Sequence, residues 1–139
     1  MTSRHTHALF NLFLIILIFM VNTLAMVYSW YWQIKWLDNI MHSMGGLFMG
    51  SAALYVYYLS GYIEPHHKSI FFAFIFGIGM AAIAGIFWEV FEFILDTFVE
   101  KPVHLLYQPD IADTMGDLVL GLCGAFTSVV LYILVWKTK

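Results

Sequence analysis

Four long apolar segments occupy most of this chain, and each is long enough to cross a lipid bilayer. They cover about residues 8–32, 38–60, 69–95 and 114–136 of the 139-residue chain. Crossing about 30 Å of hydrocarbon takes roughly 20 residues in a helix. Because backbone N–H and C=O groups in lipid cannot form hydrogen bonds with water, each segment must form a helix. The sequence therefore predicts an all-α fold, a four-helix transmembrane bundle with an up-down-up-down path.

The composition agrees with a membrane protein. The chain is 62% hydrophobic and only 11% charged, whereas soluble domains are about 45–50% apolar and about 25% charged. A soluble body of this size could not bury so much apolar surface. We therefore interpret residues 1–139 as a single transmembrane domain whose partner is the lipid bilayer. The net charge of −3, without a basic stripe, argues against nucleic-acid binding.

The basic residues predict an orientation. With four spans, both termini and the 61–68 loop share one side of the membrane. Lys35 and Lys101 lie on the other side, and His5 and His7 are expected to be interfacial. The basic residues on the side of the termini are Arg4, Lys68, Lys137 and Lys139. By the positive-inside rule we expect multi-pass insertion in the cytoplasmic (inner) cell membrane with both termini in the cytoplasm.

Seven of the nine acidic residues fall into three clusters at the predicted outer ends of the spans. The clusters contain Asp38 with His42, then Glu89, Glu92 and Asp96, then Asp110, Asp113 and Asp117. Spacings of three or four residues place the side chains of a cluster on one helix face. The second span begins, the third ends and the fourth begins at the same side of the membrane. We therefore expect the three clusters to meet at one level of the bilayer.

Small residues continue the same helix faces toward the opposite side. They are Gly45, Gly46 and Gly50, then Gly77, Ala81 and Gly85, then Gly121, Gly124 and Ser128. Small residues at such intervals let transmembrane helices approach closely. We expect spans two, three and four to pack tightly in the cytoplasmic half and to spread around the acidic cluster.

So many carboxylates around one imidazole need a counter-charge. Two like charges 4 Å apart repel by about 4 kcal/mol at an effective dielectric constant near 20. Either several carboxyl groups keep their protons, or a cation supplies the missing charge. A mixed Asp, Glu and His set suits a divalent metal ion such as Mg, Mn, Zn or Fe. The predicted ligands are Asp38, His42, Glu89, Glu92, Asp113 and Asp117, with Asp96, Asp110 and Gln108 as additional candidates.

Three motifs carry a family resemblance. LDNIMHSMGG, WEVFEF and QPDIADTMGDLVLGLCGA together resemble the YjdF-like family of small prokaryotic integral membrane proteins of unknown function. That family shows a D-x-x-x-H followed by Gly, an E-x-x-E, and a Q-x-D-x-x-D-T-x-x-D before a helix that contains Gly. More loosely, the D-x-x-x-H motif and the late Asp resemble VanZ-like membrane proteins. The resemblance implies a multi-pass fold and supports the motif residues as the site, and it implies no particular reaction.

Three hypotheses about function follow. The first is a membrane protein with a divalent metal site at the outer leaflet. If it is an enzyme, its metal ion would activate water or polarise a lipid phosphate or similar group. The second is a transporter whose carboxyl groups relay protons or pass a cation. The third is a non-catalytic subunit or assembly factor of a larger membrane complex, and a homo-oligomer is also compatible with the sequence.

Overall fold

The computed structural model describes residues 3–66, 69–98 and 106–136. These residues form helices and short connections, with no β-strand among them. Two of the helices continue without a break into a π-helical turn. In chain order the elements are α1 (Ser3–Val27), α2 (Trp30–Gln33), α3 (Leu37–Leu54) with its π-helical turn (Tyr55–Leu59), α4 (Ile70–Phe98), and α5 (Ile111–Leu131) with its π-helical turn (Tyr132–Trp136).

Three helices are long and apolar enough to cross a membrane: Arg4–Val27, Ile70–Phe98 and Ile111–Trp136. Large apolar side chains remain exposed on their outer surfaces; Phe71 of α4, for example, is 75% exposed. A continuous exposed apolar surface of this kind is unfavourable in water and is expected of helices that face lipid. α3 is less apolar, because polar residues occupy its first turns.

Local interactions determine where the helices begin and end. Ser29 has a left-handed backbone conformation with φ of 58°, and this conformation separates α1 from α2. α1 therefore runs from Ser3 to Val27, somewhat earlier than the predicted first span. At the start of α5, the Asp110 carboxylate accepts hydrogen bonds from the backbone N–H groups of Ala112 and Asp113, at 2.8 and 3.0 Å. Such a cap satisfies N–H groups that have no partner within the helix.

Helices α3 and α5 are in backbone contact. A Cβ atom on Gly46 would overlap the carbonyl oxygen of Gly121, and one on Gly124 would overlap the carbonyl oxygen of Ser43. The prediction that small residues bring these helices close together is thereby confirmed at both glycines. Gly45 differs from its neighbour, because a Cβ there would have no atom within 4 Å.

The remaining contacts give the relative directions of the helices. Residues early in α4 lie beside residues late in α5: a Cβ on Gly77 would lie 3.0 Å from the Val129 side chain, and one on Gly85 would lie 3.4 Å from Leu118. α4 therefore runs antiparallel to α5. In α1, Ala25 is completely buried and packs in one cluster with the buried residues at the start of α3. α1 therefore also runs antiparallel to α3.

We expect Gly46→Ala to destabilise the protein by about 1–3 kcal/mol, because the added methyl group would force two backbones apart. Gly45→Ala is the matched control, and its gain in helix propensity should leave stability unchanged or slightly higher. Thermal unfolding of both variants in detergent, followed by circular dichroism, measures the difference. Equal midpoints would contradict the backbone contact.

Candidate functional site

The imidazole of His42 lies among carboxylates from three helices. Its Nε2 atom is 3.6 Å from Asp38 Oδ1 and 3.8 Å from Asp117 Oδ2, whereas its Nδ1 atom is 3.7 Å from Glu89 Oε1. Asp117 and Glu89 are only 3% and 6% exposed. α3 contributes the imidazole and Asp38, α4 contributes Glu89, and α5 contributes Asp117. Side chains that are remote in sequence therefore converge at one place.

Two sets of three side chains have ligand atoms that all lie within 4.8 Å of one another. One set is Asp38, His42 and Asp117, and the other is His42, Glu89 and Glu92. Asp113 belongs to neither set, but it lines the same cavity as Asp38 and Asp117. The structure thus brings four of the five predicted carboxylate ligands together around the His42 imidazole and places Asp113 beside them.

Glu89 is held by the loop before α5. Gln108 Nε2 donates to Glu89 Oε2 at 2.7 Å and to the Glu89 carbonyl oxygen at 3.0 Å. The other carboxylate oxygen, Oε1, is buried and has no hydrogen-bond partner; it is the atom that points toward His42. Leaving a buried polar atom unpaired costs about 1–3 kcal/mol, and more if it is charged. This cost is offset if the imidazole or a bound cation interacts with the oxygen.

The other additional candidates shape the surroundings of the site. Asp96 Oδ2 accepts hydrogen bonds from the backbone N–H groups of Tyr107 and Gln108, both at 2.8 Å. Asp96 therefore positions Gln108, which in turn contacts Glu89. Asp110 caps α5. Asp96 and Asp110, like Asp113, belong to neither of the two sets of side chains around His42.

Aromatic side chains cover the end of the site nearest the loop. The Tyr107 hydroxyl donates to Met26 Sδ at 3.6 Å, and its ring packs against Trp32 with centroids 5.9 Å apart. Burial, followed by the nearby carboxylates of Asp96 and Glu92, raises the pKa of the Tyr107 phenol above its ordinary value. Tyr107 therefore stays a neutral hydrogen-bond donor at physiological pH.

A large cavity extends from the carboxylates into the helix bundle. It has a volume of about 1130 Å³ and is lined by side chains from all five helices. Asp38, His42, Glu92, Asp113 and Asp117 lie at its polar end, together with Lys35. The walls away from this end are apolar. Concave sites of this kind, mostly apolar with a few convergent polar groups, are typical of ligand-binding pockets.

The expectation that His7 is interfacial is wrong. His7 is completely buried, its Nε2 atom lies 2.7 Å from Ser51 Oγ, and its ring stacks on Trp136 with centroids 4.1 Å apart. A signal was present in the sequence, because His7 and Asn11 are four residues apart and share one face of α1. Asn11 is also buried. This polar group lies at the opposite end of α3 from His42.

Comparison with known proteins agrees with a membrane protein. A family model described as "Predicted membrane protein (DUF2238)" matches residues 3–138. The chain belongs to this family. The match is consistent with the resemblance to YjdF-like small membrane proteins of unknown function, so that prediction is confirmed. No curated protein and no solved structure matches the chain.

We expect Asp96→Ala to loosen the loop that holds Glu89. Hydrogen bonds to a charged acceptor are worth about 1.5–3 kcal/mol, so amide hydrogen exchange at Tyr107 and Gln108 should accelerate by roughly 10- to 100-fold. Asp96→Asn retains an acceptor oxygen and should have a smaller effect. Exchange measured by mass spectrometry tests this, and unchanged protection in Asp96→Ala would show that the carboxylate does not hold the loop.

Proposed function

We propose that this protein is an integral membrane protein that binds one divalent metal ion through Asp38, His42 and Asp117, and that it is a metal-dependent membrane enzyme. One observation carries the proposal: the imidazole of His42 lies between carboxylates on both of its nitrogen sides, and Glu89, on the Nδ1 side, has an unpaired buried oxygen. A divalent cation would offset two of the surplus negative charges. Zn, Mn, Fe and Mg all accept carboxylate and water ligands, and the imidazole favours the transition metals.

The distances support a metal ion on the Nε2 side of His42. Bonds of about 2.1 Å in tetrahedral geometry separate two ligand atoms by about 3.4 Å. The Nε2 distances to Asp38 and Asp117 are 3.6 and 3.8 Å, so small side-chain movements would complete the site. In this arrangement Nδ1–H would face Glu89 Oε1, which is 3.7 Å away, and a small approach would give the common pairing in which a carboxylate orients a metal-binding histidine. Glu89 is then a positioning residue, held in turn by Gln108.

The cavity supports an exposed coordination position. Asp38, His42 and Asp117 all line the cavity, whereas Glu89 is absent from its described walls. A metal ion on the Nε2 side would therefore have positions free for water or substrate, as catalytic metal sites require. Glu92 and Asp113 line the same cavity and could accept a proton from bound water. This combination is suited to hydrolysis or group transfer at a polarised phosphoryl or carbonyl group.

We further propose that α3 and its π-helical turn form a fourth span. They contain 18 and 5 residues, and together would be about 34 Å long at 1.5 Å per residue. The antiparallel contacts of α1 with α3 and of α4 with α5 support an up-down-up-down bundle. Arg4 supports cytoplasmic termini in the inner membrane, as do Lys68, Lys137 and Lys139 from their sequence positions, although these three and Lys101 lie outside the described residues. The cluster around His42 would then lie at the outer leaflet.

Transport through one copy of the chain has less support. The backbone contact of α3 with α5 at Gly46 and Gly124 lies between His42 and the buried His7, and it leaves no room for a water-filled path along that seam. The hypotheses of a subunit in a larger complex and of a homo-oligomer stay predictions. The size of the particle after extraction in a mild detergent tests both.

The metal site predicts a bound ion that depends on named side chains. Purified wild-type protein should contain about one equivalent of a divalent transition metal, and His42→Ala and Asp117→Asn should lose it. Glu89→Gln should weaken metal affinity by about 10- to 100-fold without abolishing binding, because it acts through the histidine. Elemental analysis and competition with a chelator measure these quantities.

Glu64→Gln is the control for this experiment, because Glu64 is an exposed carboxylate in the loop after α3. It should retain the wild-type metal content. Equal metal content in wild type and Asp117→Asn would refute the site. Complete loss in Glu89→Gln with retention in Asp117→Asn would move the metal ion to the Nδ1 side of the imidazole.

If α3 and its π-helical turn cross the membrane, the loop before α3 and the loop after the turn lie on opposite sides. After Cys123, the single cysteine of the chain, is replaced by Ala, new cysteines at Gln33 and Tyr62 provide one label site on each side. A membrane-impermeant maleimide added to intact cells should react with Gln33→Cys and not with Tyr62→Cys, and lysis should expose both. Labelling of both sites in intact cells would exclude a fourth crossing between them.

A further inference from the structure

We infer that the cavity beside His42 binds an amphiphile with a phosphate head group, its head at the metal ion and its hydrocarbon chain between α1 and α4. This inference names the substrate class of the proposed metal site and rests on that proposal. Three observations carry it: the shape of the cavity, its position between helices that face lipid, and the charge at its polar end.

The cavity is elongated along the helices. On α3 its lining begins at Asp38 and continues to Met49, a distance of about 16 Å at 1.5 Å per residue. Beyond the carboxylates, the walls consist of apolar and small side chains. They include Ile15 and Phe19 from α1, Phe48 from α3, and Ala82 and Ile86 from α4. A cavity with one polar end and a long apolar body matches a molecule with a head group and a chain.

The apolar part is accessible from the side of the bundle. Both α1 and α4 line the cavity, and side chains on each of them are largely exposed: Phe19 is 69% exposed and Ile86 is 54% exposed. Both residues lie within helices that are apolar enough to cross a membrane. At the loop end, Tyr107 packs against Trp32 and donates to Met26. A molecule already dissolved in the bilayer can therefore enter between α1 and α4 without passing through water.

The charges select the head group. Without a metal ion, the carboxylates of Asp38, Asp113 and Asp117 would repel an anion. A divalent ion on His42 offsets two of these negative charges and offers free coordination positions to phosphate oxygens, which are hard ligands for such ions. Lys35 lines the same polar end of the cavity and supplies a second positive charge. A phosphate monoester, with up to two negative charges, matches these two positive centres.

Two glycines allow the cavity to be blocked without disturbing the metal site. A Cβ atom on Gly45 or on Gly79 would have no neighbour within 4 Å, so a side chain can leave the backbone at either position without a clash at its first atom. Gly45 lines the cavity, whereas Gly79 is not part of its described lining. Gly45→Phe therefore places a ring in the proposed chain site, and Gly79→Phe is a control with the same chemical change.

The test uses full-length protein in a neutral detergent, loaded with Mn²⁺ and mixed with dodecyl phosphate. Native mass spectrometry then counts the bound metal and the bound amphiphile separately on each chain. The wild-type protein should bind dodecyl phosphate, and chelation of the metal should remove it. Since each buried methylene contributes about fourfold in affinity, Gly45→Phe should weaken binding by at least about tenfold. Gly79→Phe should bind as the wild type does, and both variants should retain the metal.

The outcomes separate this inference from the metal site. Wild-type protein that holds metal but no dodecyl phosphate would overturn the inference and leave the metal site standing. Wild-type protein without metal would overturn the proposed function. Equal binding by Gly45→Phe, or equal affinity for inorganic phosphate, would show that the chain does not occupy the cavity. Dodecyltrimethylammonium that binds the metal-free protein in preference to dodecyl phosphate would overturn the assigned head group.

Discussion

The relative position of His42 and Asp117 in the candidate site depends on the backbone contact between α3 and α5. At Gly46 and Gly124 the two helices are too close for any side chain, so neither helix can slide or rotate without a clash. Close packing between small residues is a main source of association between helices in lipid, where no hydrophobic force drives them together. The contact lies within about one helical turn of His42 on α3 and of Asp117 on α5. It therefore sets the distance between the imidazole and the carboxylate of a helix far away in sequence.

The second constraint on the site is a chain of polar contacts from the loop before α5. Asp96 binds the backbone of Tyr107 and Gln108, Gln108 binds Glu89, and Glu89 faces His42. The hydrogen bonds fix Gln108 and Glu89, and Glu89 in turn presents a carboxylate oxygen 3.7 Å from the imidazole. Preorganised ligands reduce the entropy lost on binding, which is the physical advantage of such an arrangement. Two acidic residues at the same end of α4 thus have different roles: Asp96 binds the loop backbone, and Glu89 faces the imidazole.

The sequence predicted the convergence at His42 because that inference needs only helical spacing and the alternation of spans. Asp38, Glu89 and Asp117 were expected to meet if successive spans alternate in direction, and they lie together around His42 in the structure. The sequence could not show that Asp96 and Asp110 bind backbone N–H groups and are not candidate metal ligands. A carboxylate at helical spacing gives the same sequence pattern whether it faces a loop backbone or a cavity. His7 was misjudged for a related reason. Its partner Ser51 is 44 residues away, and no local pattern identifies which polar residues near a helix end will be covered by another helix.

The cavity has its physical origin in the packing of α1. Among the described residues, this helix contacts the bundle near both of its ends, through Ala25 near Leu37 at one end and through His7 at Ser51 and Trp136 at the other. Between these contacts α1 presents large side chains to the cavity, such as Ile15 and Phe19, instead of the small residues that let α3, α4 and α5 approach. In water the resulting space would tend to collapse, because burying apolar surface lowers the free energy. In a bilayer, a lipid chain in that space has nearly the same free energy as a packed side chain, so nothing drives the walls together. A transmembrane helix with large side chains in its middle can therefore maintain an apolar chamber beside a charged site, and hydrocarbon from the membrane is the material best able to fill it.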